Sequence, residues 1–165
     1  MAAPLVQGLP PIIGAGAHTL ILGNMLSVMS VATAQYYGNP RNAFWRITGE
    51  LYRFAADDPY DDRTAALIDN GIAVWDVLKS CRRAGSLDSA VEPKSMVPND
   101  FGGLLVMHPG IGRVLFNGAA AENNFNRLVR VTPDVDYRRL PSTSPAQTMR
   151  YEDKLTMWRD ALIAR

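Results

Sequence analysis

Thr19-Leu20-Ile21-Leu22 is a short, continuous apolar run that ends at Gly23. Such a run is typical of a strand that is buried on both faces at the start of a parallel sheet. Ligands of open α/β sheets bind beyond the carboxyl ends of the strands. The loop that begins at Gly23-Asn24 is therefore a candidate part of a binding site.

Hydrophobic periodicity predicts further strands and helices in alternation along the chain. After the first strand, the predicted strands cover residues 72–75, 113–116 and 137–140, and the predicted helices cover residues 42–54, 64–70, 100–106, 119–128 and 149–163. This order predicts a three-layer α/β/α fold with a central, mainly parallel four-stranded sheet. We expect residues 1–165 to form a single domain, without internal repeats or a linker.

Polar or small residues follow each of the four predicted strands. They are Gly23-Asn24, Asp76, Asn117-Gly118 and the serine-rich loop Ser142-Thr143-Ser144-Pro145. The carboxyl ends of parallel strands meet at one edge of a sheet. We therefore expect these four distant segments to converge on one cleft.

Composition limits the classes of partner and cofactor. The chain has 165 residues, 47% of them hydrophobic, and a formal net charge of +1. It can bury a core but has no overall basic field that would attract nucleic acid. A DNA contact would need a local patch, for which Arg82-Arg83 and Arg138-Arg139 are candidates; a solvated surface explains each pair equally well.

The metal-ligating and cofactor-binding residue types are sparse. Cys81 is the only cysteine, which excludes an internal disulfide and a cysteine-based zinc site and favours an intracellular protein. His18 and His108 are too isolated to form a metal site. Gly14-Ala15-Gly16 precedes a strand, whereas a dinucleotide fingerprint follows one. We expect no cofactor, no metal, no targeting segment and no membrane span, since prolines interrupt the apolar N-terminal region.

Aromatic and amide residues crowd together between residues 35 and 45, in the order Gln35-Tyr36-Tyr37-Gly38-Asn39-Pro40-Arg41-Asn42-Ala43-Phe44-Trp45. An aromatic face beside amide groups suits a flat heterocycle, because the ring stacks and the amides pair with the base edge. This segment predicts a base-sized pocket. The simpler interpretation of Asn42 is a helix N-cap.

These segments together resemble the uracil-DNA glycosylase superfamily, and most closely its hypoxanthine-DNA glycosylase branch. The resemblance covers nearly the whole chain and is carried by residues 23–27, 35–45, 71–77, 80–83, 85–89, 117–118 and 142–146. It implies a monofunctional DNA repair glycosylase that flips out a deaminated base and hydrolyses its N-glycosidic bond. It also implies a monomer that acts on single- or double-stranded DNA.

The resemblance assigns roles to individual positions. Met25 stands where relatives usually carry the acidic or amide residue that positions water, and Asn24 and Leu26 also depart from the branch pattern. Asn42 is then the first candidate for a catalytic amide and Asn39 the second. The catalytic candidates are Asn42, Asn39 and Ser142; the base-binding candidates are Gly23, Asn24, Met25, Tyr37, Asp76 and Asn117; and the DNA-binding candidates are Ser27, Arg41, Thr143, Ser144 and Pro145.

The sequence favours one base only slightly and is compatible with two other functions. Bulky residues around the expected mouth, namely Met25, Leu26, Tyr36 and Tyr37, favour uracil slightly over hypoxanthine as the substrate. The unusual Met25 and Ser142 also fit a non-catalytic protein that binds damaged bases or abasic sites. A small-molecule nucleoside hydrolase with the same pocket is a third, weaker alternative.

Overall fold

The computed structural model describes residues 2–130 and 134–163. Its strands are β1 (Leu5–Gln7), β2 (Thr19–Gly23), β3 (Ile72–Asp76), β4 (Leu78–Arg82), β5 (Val97–Pro98), β6 (Arg113–Asn117) and β7 (Asp136–Leu140). Its helices are α1 (Val28–Thr33), α2 (Phe44–Tyr52), α3 (Tyr60–Asp69), α4 (Phe101–Met107), α5 (Ala119–Leu128) and α6 (Tyr151–Leu162).

The central sheet has four parallel strands in the order β3-β2-β6-β7. Its register places Gly23 opposite Asp76 and Leu22 opposite Phe116, so the strands end at one edge. Leu20 and Leu22 face a core that includes residues of α4 and α5, and Ile21 faces a second core that includes residues of α2, α3 and α6. The predicted three-layer α/β/α fold is confirmed.

A small antiparallel sheet, in the order β1-β4-β5, was not predicted from the sequence. Its strands have two to five residues, and β4 contacts β1 about 75 positions earlier in the chain. Helix α1 was also missed; Ser27 caps it by accepting a hydrogen bond from the Ser30 backbone N–H at 3.1 Å. These elements frame the loop that follows β2.

Single residues explain where several of the predicted helices begin or end. Gly71 has a φ of +73°, and a Cβ at this position would lie 2.3 Å from the His18 ring, so glycine is required to close α3. Asp100 begins α4 by accepting a hydrogen bond from the Gly103 N–H at 2.9 Å. None of the helices in the described residues is long and apolar enough to cross a membrane.

Candidate functional site

The cleft at the carboxyl ends of the central strands has a volume of about 260 Å³. All four segments that follow the predicted strands contribute to it, as the sequence predicted. Of the fourteen candidate site residues, thirteen line it: Gly23, Asn24, Met25, Ser27, Tyr37, Asn39, Asn42, Asp76, Asn117, Ser142, Thr143, Ser144 and Pro145. The exception is Arg41, which is exposed beside the cleft.

Asp76 is the most unusual group in the cleft. It ends β3, is 4% exposed, and its Oδ2 has no hydrogen-bond partner among the described residues. Burial raises the pKa of its carboxyl to about 7, the charge of Asp88 adds to the rise, and the charge of Arg83 opposes it. A buried polar atom without a partner is costly, so its place is better explained by a ligand than by stability.

Gly23 allows the Asp76 carboxyl to approach the end of β2. A Cβ at Gly23 would lie 2.6 Å from Asp76 Oδ1 and 3.0 Å from the Tyr37 hydroxyl. Any larger residue would displace one of these two groups. The glycine therefore keeps a carboxyl and a phenol together at one end of the cleft.

Tyr37 is held by its ring and by its hydroxyl. The ring stacks on Phe44 with 4.1 Å between centroids and 21° between planes, and the hydroxyl accepts a hydrogen bond from Asn117 Nδ2 at 3.1 Å. Its φ of +54° is unusual for a residue with a side chain. Burial, followed by the charge of Asp76, raises the pKa of the phenol, which stays neutral at physiological pH.

Asn117 connects Tyr37 to the serine-rich loop. Its Nδ2 also donates to Thr143 Oγ1 at 2.9 Å, and its Oδ1 accepts from the Thr143 backbone N–H at 2.9 Å. Both residues are buried. The amide group is thus occupied by the protein, which makes Asn117 a residue that positions Tyr37 and the loop.

Side chains of α6 hold the serine-rich loop by hydrogen bonds to its carbonyl groups. Lys154 is 4% exposed and its Nζ donates to the Ser144 and Gln147 carbonyls at 3.2 and 2.8 Å, while Trp158 Nε1 donates to the Pro141 carbonyl at 3.0 Å. Lys154 was not among the candidate residues predicted from the sequence. Its signal was a lysine on the same helical face as Trp158 and Ala161.

The amide candidates Asn42 and Asn39 both engage the local backbone. Asn42 Oδ1 accepts from the Phe44 N–H at 2.9 Å, and Asn39 Oδ1 accepts from the Arg41 N–H at 3.0 Å. The interpretation of Asn42 as the N-cap of α2 is wrong, because the cap is Ala43; Asn42 stands one residue earlier and bonds the first N–H of the helix. Each oxygen has a second lone pair and each amide has an NH₂ group, so these bonds do not prevent contact with a water molecule.

Asn24 belongs to a hydrogen-bonded chain that the sequence did not indicate. Its Nδ2 donates to Asp88 Oδ1 at 3.0 Å, and its Oδ1 accepts from Asn124 Nδ2 at 2.8 Å. The side chain therefore joins the β2 loop to α5 and to the 3₁₀ turn that begins at Asp88. Like Asn117, it is already occupied within the protein.

The interpretation of Arg82-Arg83 as a possible DNA-contacting surface pair is wrong for Arg83. Arg83 is 2% exposed; its Nη2 donates to the Leu26 carbonyl, and its Nε donates to the Gly85 carbonyl at 2.7 Å. A planar guanidinium can hold two carbonyls at once. Arg83 therefore fixes the β2 loop, whereas Arg82 is exposed.

The Arg138-Arg139 pair lies on the exposed part of β7. Arg139 Nε lies 3.7 Å from Glu122 Oε1 of α5. Neither arginine lines the cleft. His108 follows α4 at its C-terminal cap, and no group of three or more potential metal ligands occurs within residues 2–130 and 134–163.

Two known proteins are similar to this chain over nearly its whole length. Hypoxanthine DNA glycosylase of Methanosarcina acetivorans is 34% identical over 153 residues, which cover 92% of this chain and 94% of the relative. Hypoxanthine DNA glycosylase of Methanosarcina barkeri is 32% identical over 156 residues, covering 94% and 96%. No family model matches the sequence.

A solved structure has the same fold. The solution NMR structure of a candidate uracil DNA glycosylase from Methanosarcina acetivorans superposes with a TM-score of 0.82 at 32% identity, covering 96% of this chain and 97% of the other. The fold and the relatives define the class as DNA glycosylases, which hydrolyse N-glycosidic bonds. The chain belongs to the uracil-DNA glycosylase superfamily, in its hypoxanthine-DNA glycosylase branch.

Proposed function

We propose that this glycosylase flips a deaminated base, hypoxanthine or uracil, out of DNA into the cleft and leaves an abasic site. The observation that carries this proposal is Asp76, a buried carboxyl at the end of β3 whose Oδ2 has no hydrogen-bond partner among the residues that the structure describes. Hypoxanthine and uracil share a lactam edge, with a ring N–H beside a carbonyl. A neutral carboxyl matches that edge, because its hydroxyl donates to the base carbonyl and its other oxygen accepts from the ring N–H.

The same contact assists the bond cleavage. The C1′–N bond breaks with its electron pair going to the base, and the sugar develops oxocarbenium character. A neutral Asp76 stabilises the negative charge on the base carbonyl by donating its proton in a hydrogen bond. Water adds to C1′ and loses a proton to solvent, and the released base anion takes up a proton.

The remaining cleft residues receive positioning roles in this proposal. Tyr37 stacks on the extruded base with the ring face that does not pack on Phe44, and the turn at Asn24 and Met25 contacts the base edge through its backbone. Asn117 holds Tyr37 in place. Asn42 positions the attacking water, with Asn39 as the second candidate, because Met25 has no group able to do so.

The rims of the cleft supply the proposed DNA contacts. Backbone and hydroxyl groups of Ser142 and Ser144 contact the phosphates together with Ser27, while Pro145 and the exposed Arg41 flank them. Such contacts are independent of base sequence. Thr143 was a DNA-binding candidate, but it is buried and its N–H, Oγ1 and carbonyl bond within the protein, so its role is to hold the loop. We propose that the chain acts as a monomer and a single domain on single- or double-stranded DNA.

The choice between the two bases rests on opposing observations. The bulky side chains that the sequence placed around the mouth favoured uracil slightly. In the structure Leu26 and Tyr36 are buried, and the Tyr36 hydroxyl donates to the main-chain carbonyls of Leu9 and Pro10. Both residues line the cleft, but as buried parts of its wall rather than as exposed groups at its mouth. The names of the two relatives favour hypoxanthine. We propose that both bases are substrates, since Asp76 contacts the edge that they share.

Base release tests this function. Matched single- and double-stranded oligonucleotides carrying one uracil, hypoxanthine, xanthine or mismatched thymine are incubated with the chain and then cleaved at abasic sites by alkali. We expect release of hypoxanthine and uracil at catalytic enzyme ratios. Selective binding to the damaged DNA without release under any condition would instead support the non-catalytic alternative, and release only from free nucleosides would support a nucleoside hydrolase.

Replacement of Asn42 tests the proposed water-positioning group. We expect Asn42→Ala to reduce the single-turnover excision rate by roughly 100-fold. This factor is at the lower end of what a positioned catalytic group contributes to a rate. Asn39→Ala should have a smaller effect. Exposed Asn126 of α5 provides the matched control, and Asn126→Ala should retain the native rate. Native excision by Asn42→Ala would remove Asn42 from the mechanism and leave it only its bond to the Phe44 N–H.

A further inference from the structure

Lys154 is a buried cation directly behind the serine-rich loop. It is 4% exposed, and its Nζ donates to the Ser144 carbonyl at 3.2 Å and to the Gln147 carbonyl at 2.8 Å. It forms no ion pair with any carboxylate in the part of the chain that the structure describes. Burial lowers the pKa of its ammonium group. A buried charge without an opposite charge is costly, so stability alone does not explain a lysine at this position.

The place of Lys154 in α6 adds to this cost. The helix begins at Tyr151, so Lys154 follows its first three residues, near the helix end where the macrodipole is positive and disfavours a cation. Glu152 and Asp153 are acidic, as this end of a helix favours, but both are exposed and lie 4.0 and 3.5 Å from Arg150. The helix end and the ammonium group therefore both bring positive charge close to the loop.

The cleft in front of this loop lacks a cation of its own. Among the described residues that line it, the charged ones are the acids Asp76 and Asp88, and residues 142–149 include no charged side chain. Arg41 flanks the cleft from another segment, whereas Lys154 is hydrogen-bonded to the loop itself. A positive charge behind the loop would favour a negatively charged ligand in front of it.

We propose that Lys154 is a positioning residue for DNA, whose charge holds the serine-rich loop and attracts the phosphate that the loop contacts. This inference rests on the proposed function, which brings phosphates to Ser142 and Ser144. Ser144 joins the two sides, because its carbonyl accepts from Lys154 while the residue lines the cleft. A charge acts across one peptide group more strongly inside a protein than in water. Lys154 does not contact the reacting atoms.

Removal of the charge should weaken DNA binding and its dependence on salt. The probe is a duplex that carries a stable abasic-site analogue. We expect Lys154→Met to raise the Kd of this duplex about tenfold at about 0.1 M salt, a part of the attraction between two unit charges near a protein surface. The slope of log Kd against log salt concentration should fall by about 0.9, the change for one neutralised phosphate.

A KM-against-kcat comparison gives a second readout. The lost attraction acts on bound substrate and transition state alike, so Lys154→Met should raise the KM for base release and leave kcat nearly unchanged. Arg159→Met is the matched control, because it removes one positive charge from an exposed position of the same helix, further from the loop. This variant should keep the native Kd and salt slope. Urea unfolding will show that each variant folds.

Two further variants separate charge from hydrogen bonding. Lys154→Arg keeps both the charge and the donors, and it should recover the affinity and the salt slope. Lys154→Gln keeps an NH₂ donor without the charge and should recover neither. Equal recovery by Lys154→Gln and Lys154→Arg, or a native salt slope in folded Lys154→Met, would overturn the proposal and reduce Lys154 to a support of the loop.

This experiment separates the inference from the function on which it rests. Binding of the abasic-site analogue needs no base release. If native protein released no base, the glycosylase function would fail, while the salt slopes would still decide the role of Lys154. Base release by native protein together with an unchanged slope in folded Lys154→Met would overturn the role of Lys154 and leave the function intact.

Discussion

The excision rate of the native chain should fall about tenfold for each pH unit above 7, and Asp76→Asn should remove this dependence. The reason is the protonation state of Asp76, whose pKa is raised to about 7 mainly by burial. Below that pH the neutral carboxyl can donate to the base. Above it, the carboxylate has no proton to donate and repels the departing base anion.

Substitutions at Asp76 separate charge from hydrogen bonding. The amide of Asp76→Asn both donates and accepts, so it can pair with the lactam edge at every pH. We expect this variant to match the native rate within about tenfold near neutral pH and to exceed it at pH 9. Asp76→Ala should lose at least about 100-fold at all pH values, as expected when a hydrogen bond to developing charge is removed.

Asp88 provides a control for the electrostatic explanation. Its charge is the second cause of the raised pKa, after burial, and its Oδ1 accepts from Asn24. Asp88→Asn retains an oxygen for that bond but removes the charge. Its pH profile should therefore begin to fall at a lower pH than the native profile. Single-turnover rates between pH 5 and 9 are the measurement, and a native profile that stays flat above pH 7 would contradict the proposed role of neutral Asp76.

The stability of the fold should show the same ionisation. The Asp76 carboxyl titrates at about 3.9 in the unfolded chain and higher in the folded one. The folded state therefore binds more protons between these values, and its stability falls as pH rises from about 4 to about 7. The amide of Asp76→Asn does not titrate, so this variant does not lose stability in this way. The difference in free energy of unfolding between Asp76→Asn and the native chain should therefore shift in favour of the variant from about pH 4 to about pH 7 and stay constant above it.

Asn117→Ala should have the second large effect, on both stability and excision. It removes donors to Tyr37 and Thr143 Oγ1 and leaves the buried Thr143 N–H without its acceptor. An unsatisfied buried group costs roughly 1–3 kcal/mol, so we expect a loss of about 3 kcal/mol in free energy of unfolding. Excision should fall by at least about tenfold, because Tyr37 and the serine-rich loop lose their common support.

Urea unfolding and single-turnover excision measure these two effects separately. Asn126→Ala, on an exposed position of α5, is the matched control and should change neither. Thr143→Ser keeps the hydroxyl and the backbone N–H that bind Asn117, so it should retain most of the activity. Native stability in Asn117→Ala would show that the observed amide bonds do not support the site.

Several elements followed directly from local sequence. The strand that ends at Gly23 and the helix that follows Gly118 were predicted within one residue of their observed bounds, because apolar runs and glycine turns act over a few residues. Helix α3 was predicted four residues too short at its start. The antiparallel sheet was missed because its short strands pair with distant segments and lack a strong alternation of their own.

The superfamily resemblance was confirmed by the relatives, and it had already assigned candidate residues that the fold brings to one cleft. It could not show how their side chains are used. Asn24 was a base-binding candidate, yet its amide bonds to Asp88 and Asn124, which are 64 and 100 positions away. Arg83 was interpreted as a surface charge because no local pattern indicates the two carbonyls that accept from it.

The sequence by itself determined the order of strands and helices and the residues at the strand ends, because periodicity, capping and turn chemistry depend on near neighbours. Only the tertiary structure decided that Asp76 is buried with an oxygen that has no partner among the described residues, and that Asn117 joins Tyr37 to Thr143. Burial and side-chain hydrogen bonding depend on segments far apart in the chain. The pKa of Asp76 depends on the same distant groups, so it too is a property of the fold.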